Sequence, residues 1–222
     1  MRAKSIFILG FSILSLSLFS QEKSAEKKQD SVKWKYSPNF IIGVDVLNLG
    51  AGFFGDRQLI QGFISSRISK KVHATIDFGY DKNIYEKNGY DVKADGFFAK
   101  LGRFYMLTSD PENDFNGFYA GAKLAGSFYS QEYMAVPVKG MNSQGIFVAF
   151  DPSNQSSYWV EGNLGARIQV FDSNFFIDVN LQPKYLVYTT KQDEIVPMIV
   201  PGFGRSSGKF NMGFSWNIAY KF

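Results

Sequence analysis

Residues 209–222 read K-F-N-M-G-F-S-W-N-I-A-Y-K-F and alternate without a break. Phe210, Met212, Phe214, Trp216, Ile218, Tyr220 and Phe222 fall on one side of the alternation. Asn211, Gly213, Ser215, Asn217, Ala219 and Lys221 fall on the other. Successive side chains of an extended chain point to opposite faces, so this period of two predicts a strand with one apolar and one polar face. The apolar face needs either a protein core or hydrocarbon.

The same period recurs upstream. Residues 40–54 form a first strand candidate, with Ile42, Val44 and Val46 opposite Gly43 and Asp45; the pattern slips near Asn48, where a bulge or bend is expected. Residues 58–69, 72–80, 97–107, 117–130, 157–171 and 174–188 supply six more. Arg103 falls on the apolar face, near enough to a strand end to snorkel. Pro183 removes a ladder bond and predicts a local irregularity. Residues 81–95 read as a long polar connection, and residues 189–208 as a loop rich in Gly, Pro and Ser. Between the fifth and sixth strands lie two β-prone pieces, 134–138 and 146–150. They are expected to make a hairpin above the main sheet, or to raise the strand count from eight to ten.

Residues 1–20 read as a secretory signal peptide: Arg2 and Lys4, an apolar run over 6–19, and a cut after Ser20. Residues 21–38 are polar and read as a flexible leader, with Trp34 and Tyr36 near its end. Residues 39–222 are left for the strands. No later run is long and apolar enough for a membrane helix. The absence of Cys excludes a disulfide scaffold, a thiolate metal site, a Cys nucleophile and a lipid-attachment Cys. A net charge of +4, scattered along the chain, does not point to nucleic acid.

Connections are short after the second, fourth and sixth strands and long after the third, fifth and seventh. That alternation, with an even strand count, predicts a closed antiparallel up-and-down transmembrane β-barrel of eight strands with both termini on the periplasmic side. Closure matters because an unpaired backbone group in hydrocarbon costs several kcal/mol. The polar faces place Asp45, Arg67, Asp77, Lys100, Lys123, Glu161, Arg167, Asp178 and Lys184 in the lumen. Eight strands leave room only for side chains, so a paired polar network is expected rather than a channel. Tyr80, Phe97, Tyr105, Phe118, Phe128, Tyr158, Tyr185, Phe210 and Tyr220 collect near strand ends, as interface girdles do.

The last strand resembles the assembly signal of outer-membrane barrels through Phe214, Trp216, Ile218, Tyr220 and Phe222. The resemblance implies recognition by the barrel-insertion machinery. G-V-D-V-L from Gly43, I-D-F-G-Y from Ile76 and A-K-L-G from Ala99 look like a small uncharacterised outer-membrane β-barrel family of bacteroidete-type Gram-negative bacteria. That likeness implies a barrel in the cell outer membrane, in contact with its lipid, and carries no catalytic residues.

No catalytic constellation assembles in the sequence. His73 is the only His; it shares a face with Asp77, while Ser127 and Ser130 lie near the opposite strand ends, so it reads as a lumen residue. Asp110, Glu112 and Asp114 form an oxygen-rich cluster that reads as a solvated turn rather than a calcium loop. The glycine-rich run 202–208 lacks the Lys of a phosphate loop. Tyr85, Tyr90, Tyr129, Tyr133 and Phe150 are loop aromatics, read equally as binding residues or as packing above the barrel. No enzyme, cofactor or metal is expected. The leading expectation is a barrel with a filled lumen, acting structurally or through its outer loops or a partner protein in an envelope complex. The alternatives are an outer-membrane enzyme, a narrow pore, and a soluble lipocalin-like binder of apolar ligands.

Overall fold

A computed structural model describes residues 39–108, 113, 115–139, 145–191, 195–206 and 208–222. The signal peptide and leader expected from the sequence lie outside them. Eight antiparallel strands close a ring. They are β1 (Phe40–Asp45), β2 (Arg57–Arg67), β3 (Val72–Lys87), β4 (Tyr90–Met106), β5 (Gly117–Lys139), β6 (Gly145–Gln169), β7 (Phe175–Thr189) and, after the short strands β8 (Ile199–Val200) and β9 (Gly204–Arg205), β10 (Phe210–Lys221). Each strand of the ring pairs with its neighbours in sequence, and β10 pairs with both β7 and β1. The seam runs from Ile41↔Lys221 to Asp45↔Asn217. No helix among the described residues is long and apolar enough to cross a membrane, which says nothing about strands.

Alternation sorts the side chains in and out. In β10, Ser215, Asn217 and Ala219 are buried in the lumen, while Phe214, Trp216 and Ile218 are exposed on the outer wall. Ile76, Phe78, Phe97, Leu101, Leu124, Phe128, Leu164 and Ile168 extend that apolar surface around the ring. A lipocalin-like binder requires the reverse arrangement. Tyr80↔Phe97↔Phe128 line up across three strands at one level. At the other end Tyr220 packs edge-on against Phe175 and Phe222, at 5.0 and 4.9 Å. From Phe97 to Tyr105 a strand advances roughly 27 Å, or about 20 Å along the axis at a tilt near 40°. An apolar belt of this height is too extensive for a surface in water and fits hydrocarbon. Arg103, exposed near the β4 end, sits where a snorkelling side chain reaches the interface.

Three expectations are corrected. The polar residues 81–95 are not a connection: β3 and β4 run through them and meet at the two-residue turn Asn88-Gly89. Both turn residues have positive φ, 57° and 79°, as a primed hairpin turn demands. The pieces 134–138 and 146–150 do pair as a hairpin, through Val136↔Val148 and Val138↔Ile146, but the ten-strand alternative fails: they are the far ends of β5 and β6 and add no strands to the ring. The first strand does not reach Phe54. It stops at Asp45, whose carboxylate caps a short helix, α1 (Val46–Ala51). Near Pro183 the β6–β7 ladder passes from Glu161↔Lys184 to Leu164↔Leu181 with no paired residues between.

Candidate functional site

The lumen is filled in layers. At the end where β1 starts and β10 stops, Ile41, Phe63, Phe115, Phe176 and Ala219 form an apolar floor. Phe104, Met106 and Tyr119 adjoin it. Phe115 comes from the β4–β5 connection, where Asn113 accepts a hydrogen bond from its backbone N–H at 3.2 Å and donates to Gln169 at 2.8 Å. His73 lies fully buried, stacked on Phe104 at 5.0 Å and edge-on to Phe115 at 4.8 Å. Neither of its ring nitrogens has a hydrogen-bond partner among the described residues. Asp77 turns to Lys123 and Thr75 instead. No base–nucleophile pair forms around His73 among the described residues.

Above the floor comes the charged layer. Arg167 Nε meets Asp178 at 2.7 Å, and Tyr119 Oη donates to the same carboxylate at 2.8 Å. Lys123 Nζ meets Asp77 at 2.5 Å. Lys100 Nζ lies 3.0 Å from Glu161, and Lys184 Nζ lies 4.0 Å from it. Asn180, Gln182, Ser215 and Asn217 fill the gaps with side-chain hydrogen bonds. The cavity left among these groups is about 10 Å3, room for about one water. Asp45 stands apart, occupied with Asn48 of α1. Arg67 is half-buried at the rim, opposite His73.

The half of the lumen beyond the charged layer is apolar, which the strand alternation alone does not reveal. Val92, Ala94, Phe98, Tyr129, Tyr133, Trp159 and Leu186 project inward. Residues 195–206 fold down among them as a plug that carries β8 and β9 and buries Ile199, Val200 and Phe203. The plug is locked to the wall by ions. Lys184 Nζ donates to the Gly202 carbonyl at 2.7 Å, the Gly202 N–H donates to Asp81 at 2.9 Å, and Arg57 closes on Asp81 at 2.6 Å. Ser206 donates to the Pro197 carbonyl. Gly202 (φ 77°) and Gly204 (φ 110°) flank Phe203, and this Gly-Phe-Gly is the sequence signal that marks the plug. The run 202–208 is thus mostly an inserted hairpin; Ser207 lies outside the described residues.

The loop aromatics resolve as packing. Tyr129 Oη bonds Ser157 Oγ at 2.9 Å, and Tyr133 Oη donates to the Val196 carbonyl at 3.3 Å. Phe150 and Tyr90 pack on the apolar cluster, as does Tyr85, over which Arg205 stacks at 4.1 Å. Ser127 donates to the Phe97 carbonyl. Asp110, Glu112 and Asp114 lie outside the described residues. Among the described ones, no three acidic or His side chains gather to hold a metal.

A closed eight-stranded antiparallel barrel, apolar outside and packed with ion pairs and a plug inside, is the class that fold and lumen define. Within it, the chain belongs to the family described as Domain of unknown function (DUF6048), whose model matches residues 3–222. A comparison with curated proteins finds no matching sequence. Among solved structures, a major outer membrane protein from Thermus thermophilus is similar at 12% identity and TM-score 0.46, covering 84% of this chain and 100% of that one. Neisserial surface protein A (NspA) is similar at 13% identity and TM-score 0.42, over 83% of this chain and 96% of that one. The N-terminal β-barrel domain of Pseudomonas aeruginosa OprF is similar at 11% identity and TM-score 0.37, over 84% of this chain and 100% of that one.

Proposed function

We propose that this protein is a non-catalytic outer-membrane barrel with a closed lumen, working through its loop end or through a partner protein in an envelope complex. The observation that carries the reading is the double closure. An apolar floor, a paired charged layer and an inserted plug fill the lumen, and the cavity among the charged groups is about 10 Å3. With the interior closed to solutes, the exterior is left to act. The apolar belt and its aromatic rims support the membrane setting. In this reading the termini face the periplasm, and Phe214, Trp216, Ile218, Tyr220 and Phe222 serve as the assembly signal read by the insertion machinery. The bacteroidete-type likeness of residues 43–102 belongs to the same proposal.

Two measurements test it. Purified protein in planar bilayers is expected to show no unitary conductance; steady single-channel steps overturn the closed lumen. Extraction in mild detergent, followed by mass spectrometry, is expected to retain a stoichiometric partner or to show binding at the loop end. A detergent-free soluble protein overturns the membrane reading.

A further inference from the structure

The barrel wall is incomplete at one place. Because β1 ends at the helix cap, β10 has no strand partner on that side over residues 210–216, and β2 has none over 57–61. Helix α1 stands in the gap. Asn48 Nδ2 donates to the Phe214 carbonyl at 3.1 Å, so that carbonyl points into the gap. By the two-residue period of the ladder, the backbone groups of Met212 and Trp216 point the same way. Such an edge is costly in hydrocarbon and unlike the rest of the ring.

The cover over the gap is poorly packed. No residue of α1 is buried, and in the following turn Phe53 and Phe54 are 79% and 95% exposed. Between α1 and the β10 wall runs an apolar groove of about 480 Å3, lined by Leu47, Gly50, Ala51, Phe54, Trp216 and Ile218 among others. Ala51 also lines a second cavity of about 380 Å3 toward the loop end. Its charged lining is Asp56, Arg57, Glu86, Lys87 and Arg205. Arg57 is neutralised by Asp81 at 2.6 Å, leaving two cations and two anions. Ala51 is thus common to an apolar groove and to a polar cleft whose charges balance.

We propose that α1 frames a binding site for one zwitterionic phospholipid of the surrounding bilayer. An acyl chain lies in the groove against Trp216, the phosphate faces Lys87 and Arg205, and the ammonium faces Asp56 and Glu86. The inference rests on the membrane reading above: only acyl chains reach a groove within the belt, and a bare hydrocarbon would leave the charged cleft unused.

The test uses the full chain in phosphatidylcholine vesicles with a trace of phosphatidylethanolamine carrying a photoactivatable diazirine in its acyl chain. Labelled peptides are mapped by mass spectrometry. A concavity of about 390 Å3 on the opposite wall, lined by Phe97, Ala99, Leu124 and Phe128 among others, is the internal control, since no charged side chain lines it. Labelling at residues 46–54 and 216–218 is expected to exceed the control about fivefold. Gly50→Leu, whose Cβ meets nothing within 4 Å, is expected to bring it down to the control level and leave the control unchanged. Equal labelling of both concavities in the wild type overturns the site. No labelling at either overturns the membrane reading instead. An equivalent phosphatidylglycerol probe that labels α1 as strongly overturns the head-group assignment.

Discussion

Replacing Glu161 with Gln keeps the shape of the side chain and removes its charge, and the lumen is built so that this matters. The carboxylate lies 3.0 Å from Lys100 Nζ and 4.0 Å from Lys184 Nζ, and it accepts from Trp159 Nε1 at 3.3 Å. Lys100, Lys184 and Glu161 are all buried. At an effective dielectric near 20, such pairs are worth about 4–6 kcal/mol each before desolvation. Breaking a buried pair from one side costs about 3–5 kcal/mol, because the other charge is left without a partner. Here the cost is expected near the lower end, about 3 kcal/mol. Lys100 keeps the Gln182 oxygen at 3.4 Å, and Lys184 keeps the Gly202 carbonyl at 2.7 Å. Removing both charges of the close pair, as in Lys100→Met with Glu161→Gln, is expected to restore about 2 kcal/mol of that loss. The assay is urea unfolding of the refolded protein in lipid vesicles, followed by the gel mobility shift between folded and unfolded barrel. A Glu161→Gln loss below about 1 kcal/mol would refute the reasoning. So would a double variant whose loss is the plain sum of the two single ones, because the pair would then carry no coupling.

Three further outcomes are expected. Deleting Phe222 removes the end of the proposed assembly strand and is expected to lower the amount of folded barrel in cell envelopes several-fold; normal assembly would count against the signal. Gly202→Val sets a branched side chain at φ 77° with its Cβ about 2.5 Å from the Phe98 ring, so the plug is expected to leave the lumen. Limited proteolysis would then cut within 195–206 while the belt strands survive, at a cost of roughly 1–3 kcal/mol; an unchanged cleavage pattern would show that the plug tolerates the strain. Gly89→Val forces a β-branched residue into the left-handed region at the β3–β4 turn. It is expected to loosen amide-exchange protection around 84–93 and to leave the unfolding midpoint of the belt within about 0.5 kcal/mol; a larger global loss would mean that the hairpin tip supports the barrel.

What the sequence made legible follows from which interactions are periodic. Phe214, Trp216 and Ile218 declare their face because every second side chain meets the same medium, so the strands of the belt can be counted from residue types alone. Above the belt that signal fails. There the outward face of β3 is wet and its inward face meets the plug. Asp81, Lys82 and Asn83 therefore read as a polar loop, although they pair with Leu59, Gln58 and Arg57 across β2 and with Gly96, Asp95 and Ala94 across β4. The Asn88-Gly89 dipeptide was the usable clue, because a turn that needs two positive φ values selects those residues. The charged lumen residues could be assigned to a face, but their pairing depends on cross-ring distances, which no local pattern encodes. Lys123 finds Asp77 two strands away, and Lys100 finds Glu161 on the second strand along.

The end of β1 shows how a local bond can override a periodic one. Ile42, Val44 and Val46 continue the strand alternation, and nothing in their hydrophobicity stops it at Asp45. The stop is made by the Asp45 carboxylate, which accepts from the Asn48 N–H at 3.2 Å and from its side-chain amide at 2.6 Å. Such a cap is worth about 1 kcal/mol, less than the ladder bonds that a longer β1 would add along β10 and β2. The helix offsets part of that difference with backbone bonds of its own, Gly52 N–H to the Asn48 carbonyl at 3.0 Å and Phe54 N–H to the Ala51 carbonyl at 3.2 Å, and help from outside the helix adds to them. Part of that help is visible in the bond from Asn48 Nδ2 to the Phe214 carbonyl. A further part is the role that the phospholipid proposal assigns to the acyl chain beside Trp216. On that account Asp45→Ala, which removes the cap, should weaken lipid labelling at α1 and extend amide protection along residues 210–216, as β1 lengthens into the vacant edge. Amide exchange that stays fast there, with labelling undiminished, would separate the helix from the site and leave the gap without this explanation.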